Sequence, residues 1–500
     1  MRRVHKLLSA IFAILMIVLS ACSASPPASV DGSEKAQPVT EENTPVAAET
    51  EAETEKVYTD SVPELDFGGD KLTFTTIAWY DYEMFAEELN GDITNDAVFN
   101  RNKMMEDRFN VSIDTIPINN ATHAEHPAFI RSSIMAGDHA FDVAATFVYS
   151  AGSMILDNIF QDWRTIPYVE LDRPWWIANI NKAFTVYGKL YSPVSDTCVT
   201  SMQLAYAYLF NAKLAIDHNV EDLYKVVDEG RWTMDYIYNL VKDMYTDKNG
   251  NGERDRNDEY GLLTDINTSI DCYLATSGES ILKATEDSIE IVMDPEKTEA
   301  VFEKVEQMLY KSAGTFHYWH GNDGYIYNDK YNMFKMDIAL LMPVRLSALY
   351  DDLRDMESDY GILPFPKFDE QQAEYYTSSL DNYSVLCVPN NADNIEMVGA
   401  LSEAMACESK NSVMPAYYET ALQEKYSRDP KSVEMLDLIM SARVYDLSDL
   451  YATALSTPKA FISVTVREMK PFGSEYEKFQ RVLGKKVKTL NKDLLAMSGN

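Results

Sequence analysis

The stretch NDAVFNRNKMMEDRFNV, residues 95–111, carries the pattern on which the fold prediction rests. Its apolar residues Val98, Met105 and Phe109 recur at near-helical spacing, which predicts a helix over residues 95–109. A β-branched and aromatic run precedes this helix at residues 71–77, and another follows it at residues 111–116. Strand, helix and strand in succession predict the opening of an α/β layer.

The same alternation continues along the chain. A helix is predicted over residues 128–137, ending at Gly137, and a short buried strand at residues 141–146. Further patterns predict helices at residues 233–245, 296–310, 394–406, 432–440 and 474–496, and strands at residues 338–342 and 383–388. Because the chain has 500 residues and 46% hydrophobic content, it can bury a large core. We therefore expect an α/β protein of two lobes.

Polar and aromatic residues follow two of the predicted strands. Trp79, Tyr80 and Asp81 follow the first strand, and Tyr149 and Ser150 follow the strand at residues 141–146. Open α/β sheets bind ligands beyond the carboxyl ends of their strands. We therefore expect these residues to face a ligand-binding cleft.

The stretch DKNGNGERDRNDEYG, residues 247–261, has the pattern of a calcium-binding loop. The oxygen donors are the side chains of Asp247, Asn249, Asn251, Asp255 and Asp258 and the carbonyl of Glu253, with Gly252 at the turn. The last position departs from the pattern, because Asp258 is shorter than the usual bidentate Glu; the alternative is a solvated acidic turn. An extended segment and not a helix follows, and no second loop pairs with this one. The predicted ion is therefore a structural clip and not part of a sensor.

The N-terminus predicts export. Residues 1–21 combine a basic start with an apolar segment too short for a comfortable membrane span, as in a secretory signal peptide. Residues 19–22 resemble a bacterial lipobox, in which Cys22 would be lipidated and hold the protein at a membrane. The alternatives are an ordinary signal peptide or an uncleaved anchor. Residues 22–56 contain no aromatic residue, which predicts a disordered acidic tether.

Composition and motifs narrow the function classes. The chain has 79 Asp plus Glu against 44 Lys plus Arg, and a net charge of −35 disfavours binding to nucleic acid. No GxSxG, HExxH or glycine-rich phosphate loop occurs, and we interpret the HxxH spacings of His123 with His126 and of His317 with His320 as incidental. An exported glycoside hydrolase with two carboxylates stays as an alternative. We expect the thiols of Cys198, Cys272, Cys387 and Cys407 to be buried and free.

Several stretches together resemble the substrate-binding lipoproteins of bacterial ABC importers, in the extracellular solute-binding family 1 that mostly handles sugars. They are residues 95–111, SIMAGDHAFDV (133–143), YGKLYSPVSD (187–196), LFNAKLA (209–215), residues 229–261, DYGILPFPKFDEQQAEYYT (359–377) and PAYYETALQEKY (415–426). The resemblance covers the chain from about residue 66 to the C-terminus. In that family a calcium-type loop after a Trp-Thr helix start is common, as at residues 232–233.

The resemblance implies a two-lobed periplasmic-binding-protein-like fold of type II with hinge crossings. It implies an N-lobe from residues 57–180 and 336–392, and a C-lobe from residues 181–335 and 393–500. The implied function is capture of a carbohydrate, chiefly an oligosaccharide, by hinge closure and delivery to a membrane permease. Such a protein is a monomeric, lipid-anchored, non-enzymatic component of the extracytoplasmic face. The alternatives are a surface adhesion or scaffold lipoprotein with a calcium-stiffened domain, and a binding protein for a non-sugar solute.

A sugar site needs aromatic rings that stack on the sugar and polar groups that bind its hydroxyls. We predict Trp79 and Trp319 as stacking platforms, and Asp81 and Asp381 as hydroxyl acceptors. Further candidates are Tyr80, Tyr149, Ser150, Arg345 and Asn382, with Tyr376 and Tyr417 as weaker ones. For each of them a purely structural role is the alternative, and for Arg345 that role is a surface ion pair.

Overall fold

The computed structural model of this chain describes residues 56–265, 270–318, 329–423 and 430–498. Its strands are β1 (Asp70–Ile77), β2 (Val111–Ile118), β3 (Val143–Phe147), β4 (Tyr206–Asn211), β5 (Tyr245–Thr246), β6 (Glu259–Asp265), β7 (Leu282–Ala284), β8 (Ile289–Ile291), β9 (Thr315–Tyr318), β10 (Ala339–Arg345), β11 (Tyr360–Leu363) and β12 (Ser384–Cys387). The predicted signal peptide, Cys22 and most of the predicted tether lie outside the described residues.

The helices alternate with these strands. They are α1 (Ile93–Phe109), α2 (Glu125–Ala136), α3 (Val148–Ile155), α4 (Ala178–Phe184), α5 (Thr200–Gln203), α6 (Ala212–Asp217), α7 (Leu223–Asp228), α8 (Met234–Val241), α9 (Ile270–Thr276), α10 (Pro295–Leu309), α11 (Asp329–Lys335), α12 (Ser347–Asp351), α13 (Ile395–Glu408), α14 (Met414–Gln423), α15 (Pro430–Ser441), α16 (Leu447–Leu450), α17 (Ala452–Leu455), α18 (Ala460–Arg467) and α19 (Phe472–Ser498). A 3₁₀ turn spans Ala78–Glu83, and a π-helical turn, Ser409–Val413, joins α13 to α14.

The first sheet has the strand order β12-β3-β1-β2 among the described residues. β1 lies parallel to β2 and β3, and β12 lies antiparallel to β3. The side chain of Asp92 caps α1 by accepting the N–H groups of Thr94 and Asn95, and Asn110 ends α1 in the left-handed conformation. The two caps fix the ends of α1. The predicted strand, helix and strand over residues 71–116 are confirmed as β1, α1 and β2.

The second sheet has the order β11-β4-β10-β6-β5 in the described part of the chain, and β9 pairs with the other side of β6. β10 runs parallel to β6 and antiparallel to β4. Every residue of β6 is buried, and so is every residue of β10 except Arg345. Such burial agrees with strands that are covered on both faces by helices. We call the first sheet with its helices the first lobe, and the second sheet with its helices the second lobe.

The described chain passes between the lobes in adjacent crossing segments, residues 200–206, 377–384 and 442–446. The first two are joined by hydrogen bonds from Leu380 N to Leu204 O (3.0 Å) and from Tyr206 N to Ser378 O (2.9 Å). The third is joined to the second by a hydrogen bond from Thr377 N to Ala442 O (2.9 Å). Backbone hydrogen bonds therefore connect the three crossing segments to one another side by side.

The strand pairing corrects the predicted lobe ranges. Residues 336–392 were expected in the first lobe, but β10 and β11 both pair with β4 in the second sheet, and only β12 pairs in the first. The early boundary at residue 180 is also displaced, because Leu190 and Val194 still accept hydrogen bonds from Trp163 and Ile177 of the first lobe. The C-terminal range 393–500 is divided, since α13 packs on α1 of the first lobe whereas α15 packs on β11 of the second.

Two further properties bear on function. In the described part of the chain no helix is both long enough and apolar enough to cross a membrane. Cys198, Cys272, Cys387 and Cys407 are each buried and belong to no disulfide among the described residues, as expected from the sequence.

Candidate functional site

An aromatic turn follows β1 at the edge of the first sheet. Trp79 is 41% exposed, and its ring packs against Phe147 (6.1 Å between centroids) and His123 (6.2 Å). The ring of Tyr80 meets Phe147 edge-on at 5.6 Å. Trp79 and Tyr80 are therefore both supported by Phe147, and Trp79 keeps part of its surface exposed to solvent.

A cavity of about 540 Å³ lies between the two lobes. Its lining combines tyrosine and tryptophan rings with carboxyl, amide, hydroxyl and guanidinium groups. The lining residues are Trp79, Tyr80, Tyr82, Asp92, Thr94, Asn95, Gln203, Leu204, Arg345, Ser347, Tyr350, Asp351 and Tyr417. The first lobe, a crossing segment and the second lobe all contribute, so a change in the angle between the lobes would change the cavity.

The two lobes are joined across this cavity by a hydrogen bond. The hydroxyl of Tyr350, on α12 of the second lobe, donates to Asp92 Oδ2 of the first lobe at 2.8 Å. Burial alone would raise the pKa of Asp92, but hydrogen bonds from Thr94, Asn95 and Tyr350 outweigh burial and lower it. Burial and this contact raise the pKa of Tyr350. We call this pair the Asp92–Tyr350 bridge.

The wall contributed by the second lobe is charged. Arg345 ends β10 and lines the cavity beside Asp351. Burial raises the pKa of Asp351, the charge of Asp352 raises it further, and the charge of Arg345 opposes both. A groove of about 740 Å³ lies on the other side of Tyr350 and Asp351 and includes Lys335 and Asp355. Tyr350 and Asp351 line both spaces, and they therefore separate the cavity from this outer groove.

The crossing segment and α14 complete the cavity. The hydroxyl of Tyr82 donates to Gln203 Oε1 at 2.6 Å, which ties the aromatic turn to the first crossing segment. The ring of Tyr417 lies 6.4 Å from that of Tyr82. Burial and the charge of Glu83 raise the pKa of Tyr417, so its hydroxyl stays protonated and can donate a hydrogen bond.

The cavity contains three of the predicted site residues, Trp79, Tyr80 and Arg345, together with the weaker candidate Tyr417. Asp81 does not line it, because its carboxylate accepts the hydroxyls of Thr76 (2.5 Å) and Thr115 (3.2 Å) within the first lobe.

The remaining predicted residues lie away from the cavity lining. The loop expected after β3 is helix α3, so Tyr149 stacks on Phe147 and Ser150 is buried in the first turn. Asp381 and Asn382 precede β12, and the carbonyl of Asp381 accepts the N–H of Tyr149 at 3.4 Å. The other weak candidate, Tyr376, lies against Gly278. Trp319 lies outside the described residues.

Sequence reasoning did not find several lining residues. Asp92, Thr94 and Asn95 belong to the first turn of α1, and their signal was the Asp-x-Thr-Asn cap before the predicted helix. Ser347, Tyr350 and Asp351 lie on α12, directly after β10. Because ligands bind beyond the carboxyl ends of strands, an assignment of β10 to the second lobe would have pointed to these residues.

The loop at residues 247–258 is held by hydrogen bonds between its own side chains and backbone. The carboxylate of Asp247 accepts the N–H groups of Gly250 (2.7 Å) and Gly252 (2.8 Å). The side-chain amides of Asn249 and Asn251 both donate to Asp255, which brings those three side chains together. Positive φ at Gly250 and Gly252, 70° and 76°, explains the glycines at the turn.

Asp258 stands at the last predicted ligand position of this loop. Glu259, the neighbouring carboxylate, is held by His218 (2.7 Å) and Lys248 (2.6 Å), so it is turned to other partners. Asp258 is fully buried and accepts the N–H of Lys248 at 3.2 Å. Among the described residues no group of three or more His, Cys, Asp or Glu side chains is arranged to hold a metal ion. A calcium shell here would therefore depend on amide and carbonyl oxygens as well as carboxylates.

The comparisons with known proteins bear on the fold. No protein-family model and no curated protein sequence matches the chain. Among solved structures it is similar to the GacH receptor of Streptomyces glaucescens GLA.O, with 14% identity, a TM-score of 0.53, and coverage of 83% of this chain and 99% of that one. It is also similar to a cyclo/maltodextrin-binding protein complexed with maltotetraose, with 14% identity, a TM-score of 0.56, and coverage of 84% and 98%.

A third similar structure is the galacto-N-biose/lacto-N-biose I-binding protein of the ABC transporter from Bifidobacterium longum in complex with lacto-N-biose. The identity is 10%, the TM-score is 0.55, and the match covers 85% of this chain and 98% of that one. These likenesses confirm the predicted fold class, an α/β fold of the two-lobed, periplasmic-binding-protein-like kind.

Proposed function

We propose that this chain is the substrate-binding component of an ABC importer, and that it captures a carbohydrate, chiefly an oligosaccharide, between its lobes. The observation that carries the proposal is the interlobe cavity, in which aromatic rings and hydroxyl-binding groups come from both lobes. Its volume of about 540 Å³ falls within the range of roughly 300–1,000 Å³ typical of small-molecule sites. The fold shared with carbohydrate-binding proteins supports the same conclusion.

The mechanism is closure of the lobes on the ligand. Trp79 and Tyr80 offer ring faces to the apolar side of a sugar, while Asp92, Asn95, Gln203 and Asp351 bind hydroxyls. Because the lining spans both lobes, ligand contacts are complete only when the lobes are together, so binding shifts the population toward the closed form. The closed form is then the species presented to a membrane permease.

The remaining features of the proposal follow from the sequence. A lipid on Cys22 and the tether of residues 22–56 would hold the monomeric protein on the extracytoplasmic face of a membrane. Calcium at residues 247–258 would brace the second lobe, since the loop connects β5 to β6. We propose no catalytic residue.

A thermal-shift screen of the protein, with calcium present, tests the function. The panel contains malto-oligosaccharides, other neutral oligosaccharides, monosaccharides, peptides and polyamines. One glycan class should raise Tm, because a ligand at 100 times its Kd stabilises the native state by about 3 kcal/mol. A response to peptides or polyamines alone would indicate a non-sugar solute. A flat response to the whole panel would contradict solute binding and favour the scaffold alternative.

Recovery of the bound glycan separates binding from catalysis. After overnight incubation with the protein, mass spectrometry should return the stabilising glycan with its glycosidic bonds intact. Hydrolysis products that depend on Asp92 or Asp351 would instead favour the glycoside hydrolase alternative.

A further inference from the structure

Glu83 ends the aromatic turn, but its side chain points away from the cavity. Its Oε1 accepts the backbone N–H of Thr200 at 2.7 Å, and its Oε2 accepts the hydroxyl of Ser384. The N–H of Ser384 in turn donates to Thr200 Oγ1 at 2.9 Å. Thr200 begins the first crossing segment, and Ser384 stands where the second one enters β12 of the first sheet. One carboxyl group therefore closes a hydrogen-bonded ring through the aromatic turn and two crossing segments.

The backbone at this point is held from the opposite side by α1. The guanidinium of Arg101 donates to the carbonyls of Glu83 and Met84, both at 3.1 Å, and Asn102 donates to the carbonyl of Met84 at 2.8 Å. Arg101 also donates to Ser409 in the π-helical turn at 3.1 Å. Glu83 and Arg101 are each almost fully buried. The end of the aromatic turn thus has its backbone fixed to the first lobe and its side chain fixed to the crossing segments.

We infer that Glu83 is a positioning residue that couples the ligand-contacting turn of residues 79–82 to the crossing segments about which the lobes rotate. A rotation about the crossing segments moves Thr200 relative to Ser384, which β12 holds in the first sheet, and the carboxyl of Glu83 transmits that movement to Trp79, Tyr80 and Tyr82. The Tyr82–Gln203 hydrogen bond joins the same turn to the same segment and adds to the coupling. The role in ligand capture rests on the proposed function, but the mechanical link does not.

The test compares two ways of weakening this ring with a control of the same kind. Glu83→Ala removes both acceptors, and Ser384→Ala removes one partner while deleting only a hydroxyl, so it tests the link even if the first variant folds poorly. Glu83→Gln should preserve the link, because its amide can accept from Thr200 and donate to Ser384. The matched control is Glu403→Ala on α13, a buried carboxylate that accepts the indole N–H groups of Trp175 (3.0 Å) and Trp176 (2.8 Å) within the first lobe.

Interlobe distances are read by pulsed electron spin resonance in a Cys22→Ser background. Spin labels are placed at Met135→Cys on α2 and Ile216→Cys on α6, positions that are 83% and 77% exposed, while the native thiols are buried. Without any ligand, Glu83→Ala and Ser384→Ala should broaden the distance distribution. Glu83→Gln and Glu403→Ala should keep the wild-type distribution. Wild-type distributions in both Glu83→Ala and Ser384→Ala, or equal broadening in Glu403→Ala, would overturn the coupling.

Maltotetraose is the probe for the ligand-bound arm. Glu83→Ala should raise its Kd about tenfold, the change expected if the turn holds its binding position only about one tenth of the time, and Glu83→Gln should restore it. A role confined to stability would lower Tm and leave Kd unchanged, which contradicts the inference. If wild-type protein does not bind maltotetraose, that choice of carbohydrate fails, and the ligand-free distances still decide whether Glu83 couples the two regions.

Discussion

At the scale of single residues, the turn 79–83 divides its side chains between two tasks. Trp79, Tyr80 and Tyr82 line the cavity, whereas the carboxyl groups of Asp81 and Glu83 bind protein hydroxyls and a backbone N–H behind it. A 3₁₀ turn has about three residues per turn, which spreads five consecutive side chains over all directions. A short segment can therefore present rings on one side and anchor itself on the other.

Trp79 is the residue on which we expect ligand affinity to depend most. Trp79→Ala should weaken binding of the stabilising glycan by about 2 kcal/mol, or about thirtyfold in Kd, because it removes a packed ring from the cavity wall. Trp79→Phe keeps a ring face and should lose much less. Isothermal titration calorimetry measures both variants, and a wild-type Kd in Trp79→Ala would show that the ring is not a platform.

Glu83 also sets a pH dependence of stability. Burial raises its pKa to about 7, against hydrogen bonds from Ser384 and Thr200 that lower it. A carboxyl group whose pKa is raised on folding favours the native state when protonated, so its contribution is present below pH 4.5 and is lost as pH rises through 7. Between pH 5 and 8 the free energy of unfolding of wild type should therefore fall by about 2–3 kcal/mol more than that of Glu83→Gln, which has no carboxyl group to titrate.

Denaturant unfolding at several pH values measures this difference. The Glu403→Gln variant is a second test, since burial also raises the pKa of Glu403, whose carboxyl accepts the indole N–H groups of Trp175 and Trp176 in the first lobe. Parallel pH profiles for wild type and Glu83→Gln would contradict a raised pKa at Glu83.

The sequence predicted individual site residues correctly only where they lie at the end of a recognisable strand. Trp79, Tyr80 and Arg345 directly follow or end a strand that the hydrophobic pattern revealed. Asp81 has the same position but finds two threonine hydroxyls on its own sheet, a competition that no local pattern reveals. Asp92 and Tyr350 meet from segments more than 250 residues apart, so their contact depends on how the lobes come together.

At the scale of elements, α13 shows how closely helices of the first lobe pack. A Cβ added at Gly399 would stand 2.0 Å from the carbonyl oxygen of Pro167, whereas one added at Gly484 on α19 would meet no atom within 4 Å. Gly399→Ala should destabilise the protein by about 1–3 kcal/mol through overpacking. Gly484→Ala should stabilise it by up to about 1 kcal/mol, the intrinsic helix preference. Tm values of the two variants test this, and shifts of the same sign would contradict it.

The loop between β5 and β6 is the element for which we predict an ion. Calcium should raise Tm and a chelator should lower it, because an ion that binds only the folded loop stabilises the native state. Asp247→Ala should abolish this response, while Glu253→Ala should keep it, since only the backbone carbonyl of Glu253 belongs to the predicted shell. Equal Tm in calcium and in chelator would remove the ion, and glycan binding should persist in either case.

Elements with clear periodicity were predicted to within a few residues, among them β1, α1, β2, α10 and α19. The short helix α3 was missed because it begins immediately after β3, with no capping residue between them. A long helix with one apolar and one polar face shows a clear periodic pattern in the sequence. A mostly buried helix of eight residues, such as α3, has no polar face and therefore shows no such pattern.

At the scale of the whole molecule, the pairing of strands decides which segment belongs to which lobe. The resemblance implied that residues 336–392 return to the first lobe, but β10 and β11 pair with the two edges of β4 in the second sheet. Edge choice of this kind depends on contacts between segments more than 100 residues apart. Hydrophobic periodicity carries no information about it.

The Asp92–Tyr350 bridge should bias the lobes toward each other. Tyr350→Phe removes a hydrogen bond to a carboxylate and should shift the unliganded population toward the open form by about 1–2 kcal/mol. Small-angle scattering should show a larger radius of gyration, and ligand affinity should fall in proportion. Tyr224→Phe is the control, because its hydroxyl bonds Ser432 at 2.9 Å within the second lobe. An unchanged radius in Tyr350→Phe would mean that the bridge does not influence closure.

The four buried thiols have a practical consequence for experiments on this molecule. Cys387 lies on β12 and Cys407 on α13, both in the first lobe, whereas Cys272 lies on α9 next to the second sheet's helices. Each thiol can be alkylated only when its surroundings open, so the rate of alkylation reports the free energy of local opening at that place. The thiols thus report local opening in both lobes, and mass spectrometry of the alkylated peptides can measure each rate separately without any added probe.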